Sequence, residues 1–315
     1  STSMYLSLKG SLGHTAITDR VGESLLQIAE GSSAAYSLRN LGSDSPSVIR
    51  VRRGSDNAER DFTAQDINTS VVEEWVNADD PSASGFVETW YDQSGNGNNA
   101  SQLTAAYQPK IVDAGVLVTS NGNAAIKSTS INEMTFSMAS LSSDGQQSVF
   151  SVLENDITSQ DSFSLPFGVD STSAGTRLRR PYWYVSPDGT LTFSVDSTEG
   201  YNNTSRERHL YSHIMDDSAG GTSTIYQEGT QVHTQSITLD ANPSFSQGRI
   251  FALGSNITGA FYMSELIYYP SDQSANRPAI EDNIDNHYGI ISAGSYVNAA
   301  GDSYINAAGD TYLQP

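Results

Sequence analysis

The sequence predicts an all-β protein, and three observations carry the prediction. Apolar residues come in short runs separated by Gly, Ser, Asn, Asp and Thr, the punctuation of strands and tight turns. Several runs alternate with a period of two, as in "SVIRVRR", where Ile49 and Val51 point one way and Arg50 and Arg52 the other. Only one segment near the C-terminal end, "SANRPAIEDNIDNHYG", reads as a capped helix. The chain has 315 residues, room for two average domains. Single β-sandwiches of about 200 to 250 residues are common, however, so one large domain with extensions is expected.

Taken in order, residues 1–30 form an N-terminal arm. "MYLSLKGSLGH" looks extended, and "VGESLLQIAEG" sets Val21, Leu25 and Ile28 on one helical face before a stop at Gly31. From 31 to 291 the strands follow one another: "SVIRVRR", "FVETWYD", "QSVFSVLE", "LTFSVD", "TSTIYQEG", "GRIFALGS" and "FYMSELIYY". That spacing fits a two-sheet sandwich. A single helix should close it, with Pro278 in the first turn, Ile280, Ile284 and Tyr288 on one face, and Gly289 as the stop. Residues 292–315 make a third region that repeats with a period of eight: "SYVNAAGD", "SYINAAGD", "TYLQP".

Composition excludes several function classes. A net charge of −20 repels nucleic acid phosphates and anionic membranes, so neither is an expected partner. With no cysteine, there is no disulfide framework, thiolate metal site or thiol nucleophile. The first thirty residues carry no signal-peptide pattern, and no apolar run of about 18 residues occurs to span a bilayer. A soluble protein without membrane insertion is expected.

Four stretches hold chemistry-bearing residues, each with a bland alternative. In "WYDQSGNGNNASQ", residues 90–102, Asp92 suits an Asx-type turn, with Gly95 and Gly97 free to take positive φ. The alternative sets Asp92, Asn96 and Asn98 as oxygen ligands to Ca²⁺, a sparse set for a hard cation. In "IRVRRGSDNAERDF", Arg53 and Arg60 lie near Asp56, Glu59 and Asp61, either as an anion cradle or as a salt-bridged outer face. Mixed-sign runs usually pair internally, which favours the second. "RLRRPYWYV" offers Arg177, Arg179, Tyr182, Trp183 and Tyr184, donors and flat rings of the kind that stack on sugars. Alternation means that one side of that strand is core, taking either Trp183 or its neighbours. "HLYSH" spaces His209 and His213 as a helical metal pair, but on a strand they sit too far apart for one ion. No metal ligand set and no cofactor are expected.

Three runs in order, "AYSLRNL…IRVRRGSDNAERDF", "WYDQSGNGNNASQ" and "FYMSELIYYPSDQSANRPAIEDNI", resemble the concanavalin A-like sandwich of the α-L-arabinofuranosidase B catalytic family. The likeness is greater to versions of that module in tailed-phage structural and fibre proteins. It covers roughly residues 31–291 and implies a concanavalin A-like jelly roll. In the hydrolase, the nucleophile is a Glu on a strand matched here by "LTFSVDSTEG", near Asp196 or Glu199. The acid/base Asp falls in the stretch matched by "FALGSNITGAFYMSEL", which offers Asn256 and no carboxylate before Glu265. An amide cannot deliver a proton to a leaving group, so the resemblance implies no enzyme here. The paired cysteines of the family's sugar pocket are missing too. The expectation is a non-enzymatic virion structural protein, a fibre, spike or surface decoration located in the virion, with host surface glycans as ligands. The alternatives are an arabinofuranosidase-like glycoside hydrolase and a carbohydrate-binding module of a secreted bacterial protein.

The repeated tail suits assembly. Tyr296, Tyr304 and Tyr312 recur at one phase and can form an aromatic ladder across a small meander. So short a meander needs a partner surface. That surface is either the chain's own sandwich or a neighbouring subunit or other virion protein, and the second makes the chain a homo-oligomer.

Overall fold

The computed structural model describes residues 23–129, 132–137, 146–171, 179–195, 198–216, 221–237, 245–252 and 255–291. Val21, Arg177, Asp196 and the tail tyrosines Tyr296, Tyr304 and Tyr312 lie outside the described residues.

The chain is mostly β, as its composition predicts. Its strands are β1 (Ala34–Ser37), β2 (Ser47–Arg53), β3 (Glu59–Thr63), β4 (Gly85–Trp90), β5 (Ala100–Ser101), β6 (Lys110–Asp113) and β7 (Val116–Leu117). Then come β8 (Thr119–Ser120), β9 (Asn123–Ala124), β10 (Ile126–Ser128), β11 (Met134–Ser137), β12 (Gln147–Asn155), β13 (Ser164–Ser171) and β14 (Arg179–Val185). The last are β15 (Leu191–Val195), β16 (Thr198–Asn203), β17 (Arg208–Asp216), β18 (Thr222–Gln227), β19 (Thr230–Ser236), β20 (Phe245–Ala252) and β21 (Phe261–Tyr269).

Pairing sorts these strands into two ladders. One runs β19, β18, β17, β12, β21, with β1 and β10 sharing the far edge of β21. The other runs β3, β2, β4, β5, β11, β20, β13, β14, β15, β16, with β6 also on the edge of β4. A bridge between Lys127 and Lys110 joins the ladders into one large sheet. At the opposite end, Gly200 of β16 lies against His233 and Gln235 of β19, so the sheet nearly closes on itself.

Between the ladders is the main core. Tyr36 and Trp90 meet at 5.7 Å and Tyr36 and Phe136 at 5.3 Å. Farther along, Trp183 contacts Phe167 and Phe193, and Phe193 reaches Tyr211 on the other ladder at 4.8 Å. Each such ring contributes about 1.5–3 kcal/mol on burial.

The first ladder is covered on its second face as well. Phe150, Val152, Leu210, Ile214, Ile267 and Tyr269 pack beneath a helix, Arg277–Tyr288, and a short one, Leu25–Ile28. Burial on both faces is why nearly every residue of β12 and β21 is buried, polar ones included, while the arginines of β2 stay at the surface. The long helix begins as predicted with Pro278 in its first turn and ends at Gly289 in the left-handed region, with Ile280, Ile284 and Tyr288 buried. It is not the only helix. Ala64–Asn68 and Val71–Val76 are helical too, the former opened by a Thr63/Asp66 capping box. In the N-terminal arm, Leu25 and Ile28 are buried against the long helix, and Tyr269 Oη donates to Ala29 O at 3.0 Å.

Buried charge is paired. Glu265, fully buried, takes a two-pronged contact from Arg39 at 2.8 and 2.9 Å and further bonds from Ser37 Oγ and Tyr288 Oη. Among the described residues no helix is long and apolar enough to cross a membrane.

Candidate functional site

The outer face of the second ladder carries the residues best placed to meet a ligand. Register aligns one residue from each of nine of its ten strands: Asp61, Arg50, Thr89, Ser101, Thr135, Arg249, Gly168, Tyr182 and Ser194, of which Thr89 and Ser194 are buried. Nine strands at about 4.8 Å spacing make this row roughly 38 Å long. It is polar almost throughout. Gly168 lacks a side chain where a Cβ would stand 3.5 Å from the Tyr182 ring, so Tyr182 lies close over the backbone of β13.

At one end of the row sits an aromatic cluster. Tyr182 and Tyr184 are on the face opposite Trp183, with ring centroids 5.3 Å apart, and Phe163 meets Tyr184 edge-on at 5.5 Å. Phe163 is half exposed. Trp183 points the other way: it is fully buried, and its Nε1 donates to His213 Nδ1 at 3.0 Å. Trp183 is therefore core, not glycan contact, while Tyr182 and Tyr184 point to the other side of the strand and are half-buried. Arg179 has its backbone opposite Asp170 in β13. Phe163 is the residue that sequence reading missed: it stands in phase with Leu165 and Phe167, but just before the strand begins at Ser164, and it is exposed where they are buried.

The charges of this face are tied to one another. Arg50 holds Asp61 through two bonds at 2.8 and 3.2 Å, and Tyr91 Oη donates to the same carboxylate at 2.7 Å. The Arg50 hydrogen bond is the main reason why the Asp61 carboxyl titrates below its ordinary range. Burial, then the bond to Asp61, pushes the Tyr91 phenol up to about 12. Arg249 lies between Glu133 at 3.1 Å and Asp170 at 2.8 Å. The contact to Asp170 is an ion pair without a hydrogen bond, because the Nε hydrogen is not aimed along it. Arg53 pairs with Asp56, and Arg52 bonds Gln108 and Asn57. In "IRVRRGSDNAERDF" Arg50 and Arg53 are thus paired with Asp61 and Asp56, as a salt-bridged face requires, while Arg60 lies over the Phe62 ring at 5.0 Å.

The "YDQSGNGN" loop is a staple. Asp92 Oδ1 accepts the Ala35 and Ser94 N–H groups at 2.8 and 2.9 Å, and Oδ2 accepts Ser94 Oγ–H and Asn98 N–H at 2.7 and 3.0 Å. Gln93 Nε2 donates to Ser37 O and Arg39 O, while the Asn96 and Asn98 Nδ2 groups donate to Ser32 O and Ser33 O. Gly95 and Gly97 have φ of 89° and 72°. A cavity of about 430 Å³ adjoins this loop, lined in part by Glu30, Ser33, Asn96 and Asn98. The Asp92 oxygens already serve four donors, which argues against a cation there. Among the described residues no three His, Asp or Glu side chains converge as a metal site. His209 and His213 serve separate networks, His213 with Trp183 and Ser223, His209 with Ser205 and Glu228.

Around the expected acid/base position, Asn256 is present and its amide donates to the Asp161 carboxylate, while Asp161 N–H donates to Ser255 O at 3.1 Å. A carboxylate from the β12–β13 connection thus reaches a stretch that has none of its own. Glu199 pairs by its backbone with Ser194 in β15. The carboxyl groups that burial pushes upward, Glu281 and Asp285, lie on the long helix behind the other ladder.

No family model matches the chain, and no curated protein is similar to it in sequence. Solved structures do match it. A mutant GH54 α-L-arabinofuranosidase soaked with 4-nitrophenyl α-L-arabinofuranoside superposes with a TM-score of 0.58 at 17% identity, covering 89% of this chain and 69% of that one. A GH54 α-L-arabinofuranosidase soaked with a cyclic sulfate inhibitor gives 0.58 at 16% identity over the same shares. An arabinofuranosidase complexed with arabinofuranosyl-α-1,2-xylobiose gives 0.55 at 17%, covering 89% and 68%. At such identity the likeness is one of fold, and this chain has an arabinofuranosidase-like β fold.

Proposed function

We propose that this chain is a carbohydrate-binding module without glycosidase activity, whose ligand lies along the outer row of the second ladder, against Tyr182, Tyr184 and Phe163. The observation that supports it is the cluster of those three rings beside hydroxyl and guanidinium groups. Flat apolar faces with flanking donors suit the faces and hydroxyls of sugar rings. The sugar-handling enzymes that share the fold add a prior from analogy, which does not by itself assign function.

The finer reading is a concanavalin A-like jelly roll serving as a structural component of a tailed-phage virion, with host glycans as ligands and a homo-oligomeric assembly. It rests on the ordered motifs from Ala35 to Ile284 and on the eight-residue repeat that follows the domain. The competing reading, an arabinofuranosidase-like hydrolase, draws support from the Asp161 carboxylate beside Asn256. A glycan array followed by titration calorimetry tests binding. Retained affinity when Tyr182, Tyr184 and Phe163 are all changed to alanine, in a chain that still melts cooperatively, refutes the binding face.

A further inference from the structure

Away from the proposed glycan face, at the mouth between β16 and β17, three side chains form a relay. Ser205 Oγ and His209 Nε2 are 2.8 Å apart, and His209 Nδ1 and Glu228 Oε1 are 2.7 Å apart. Ser205 lies in the loop before β17, His209 near the start of that strand, and Glu228 in the turn joining β18 to β19. They are partly exposed, His209 to 12% and Glu228 to 21% of their side chains, so a small reagent reaches them while bulk water is partly excluded.

The tautomer follows from the network. Gln227 Nε2 stands 3.1 Å from His209 Nδ1 and Glu228 Oε1 stands 2.7 Å from it. The two contacts demand opposite roles of that nitrogen. The shorter, charge-assisted one prevails, so Nδ1 carries the proton and donates to the carboxylate. That leaves Nε2 with a lone pair facing the Ser205 hydroxyl. Nucleophile, base and orienting carboxylate are thereby in sequence. The Glu207 N–H donates to Ser205 Oγ at 3.1 Å and the Ser205 N–H to Asn203 Oδ1 at 2.7 Å, which fixes the loop that presents the hydroxyl.

Backbone geometry supplies a second, independent observation. Glu228 has φ of 47° and Gly229 φ of 74°, the paired left-handed conformation of a two-residue hairpin turn. Asn, Asp or Gly fits the first of those positions readily, and a Glu is unfavourable there. Here the strained residue is held by Glu228 N–H donating to Leu210 O at 3.0 Å, and its carboxylate is aimed at His209. Residues in such conformations cluster at working sites.

We propose that Ser205 is an activated nucleophile that takes the acyl group of carboxylic esters, with His209 as general base and Glu228 as the positioning residue. Ser205 Oγ bonds to the carbonyl carbon as its proton passes to His209 Nε2. The ester C–O bond then breaks, and the leaving alkoxide takes that proton. Water repeats the sequence on the acyl-serine, releasing the acid and restoring Ser205.

A fluorophosphonate probe and 4-nitrophenyl acetate test the assignment. With the probe, an Oγ–P bond forms and fluoride leaves. Peptide mass spectrometry should find the label on Ser205, absent in Ser205→Ala and in His209→Ala, with free imidazole restoring it in His209→Ala. Glu228→Gln should slow labelling by about a hundredfold, in the range that a general base contributes, and Glu228→Asp should recover part of it; a merely structural carboxylate would change the melting temperature and not this pattern. 4-Nitrophenyl acetate turnover should fall in parallel. Should Ser205→Ala fail to fold, Ser205→Cys keeps the packing and moves reactivity to iodoacetamide. Wild-type protein that stays unlabelled, or label spread over surface residues and indifferent to His209→Ala, overturns the proposal.

Discussion

The Asp92 staple can be broken by one atom. In Asp92→Asn the side chain keeps its shape, but one acceptor oxygen becomes an NH₂ group facing donors. If Nδ2 takes the place of Oδ2, it confronts Ser94 Oγ–H and Asn98 N–H, now held at 2.7 and 3.0 Å. If it takes the place of Oδ1, it confronts the Ala35 and Ser94 N–H groups, held at 2.8 and 2.9 Å. The first orientation is the milder one, because the Ser94 hydroxyl can rotate to accept from Nδ2 and only the Asn98 N–H loses its acceptor; the second strands two N–H groups. Hydrogen bonds to a charged group are each worth about 1.5–3 kcal/mol net, and the partial exposure of this loop argues for the lower end. The expected loss is about 1.5 kcal/mol, or a fall of roughly 3–6 °C in Tm for a domain of this size. Guanidinium unfolding followed by tryptophan fluorescence measures it, since Trp90 adjoins the loop. A variant within about 0.5 kcal/mol of wild type, the scatter of ordinary surface changes, refutes the staple, and so does a wild-type Tm that drops on adding EDTA.

Three further outcomes follow from the same contacts. Tyr184→Ala, which removes the ring between Tyr182 and Phe163, should weaken glycan affinity about tenfold, the equivalent of ~1.4 kcal/mol, with Tm little changed; calorimetry and a thermal melt read both. Burial, then the charge of His233, lowers the His213 pKa from 6.5 to about 3. Stability from the neutral ring is therefore present above pH 6.5 and is lost as pH falls toward 3, by roughly 4 kcal/mol at the end of that range; Tm against pH should show this limb flattened in His213→Gln. Arg39→Met leaves the Glu265 carboxylate buried beside Ser37 and Tyr288 without its cation, which should cost about 3–5 kcal/mol in an unfolding titration.

How much of this was legible in the sequence depended on whether the determining contacts were local. β2 and β21 have the same ends in sequence and structure because alternation or a mostly apolar run decides them within one segment. The Pro278 and Gly289 signals fixed the long helix for the same reason. The helices Ala64–Asn68 and Val71–Val76 were missed: each is under two turns, and burial of Ile67, Val72 and Val76 in the main core holds them, not local periodicity. Alternation put Trp183 opposite Tyr182 and Tyr184 but could not say which side was core. That answer comes from Phe193 and His213, on strands whose adjacency the sequence does not display. "HLYSH" drew attention to two histidines, yet the informative partners of His209 are Ser205, four residues back, and Glu228, nineteen residues on.

Binding without glycoside hydrolysis is the expectation for the outer face, and the reason lies in its carboxylates. A retaining glycosidase needs two carboxyl groups about 5–5.5 Å apart, one of them protonated at working pH. Asp61 is driven the opposite way, below its ordinary range, by Arg50. Glu133 and Asp170 are both engaged by Arg249, at 3.1 and 2.8 Å. Glu281 and Asp285, which burial does push upward, stand behind the other ladder, where no ligand on this face meets them. Among the described side chains Asp161 remains, hydrogen-bonded by the Asn256 amide, and one carboxylate is half of the pair that a retaining mechanism needs. The purified chain should therefore leave 4-nitrophenyl α-L-arabinofuranoside intact over hours, as read by nitrophenolate absorbance. Turnover above background that disappears in Asp161→Asn or Glu199→Gln, with folding unchanged, would overturn the reading and make the outer row an active site.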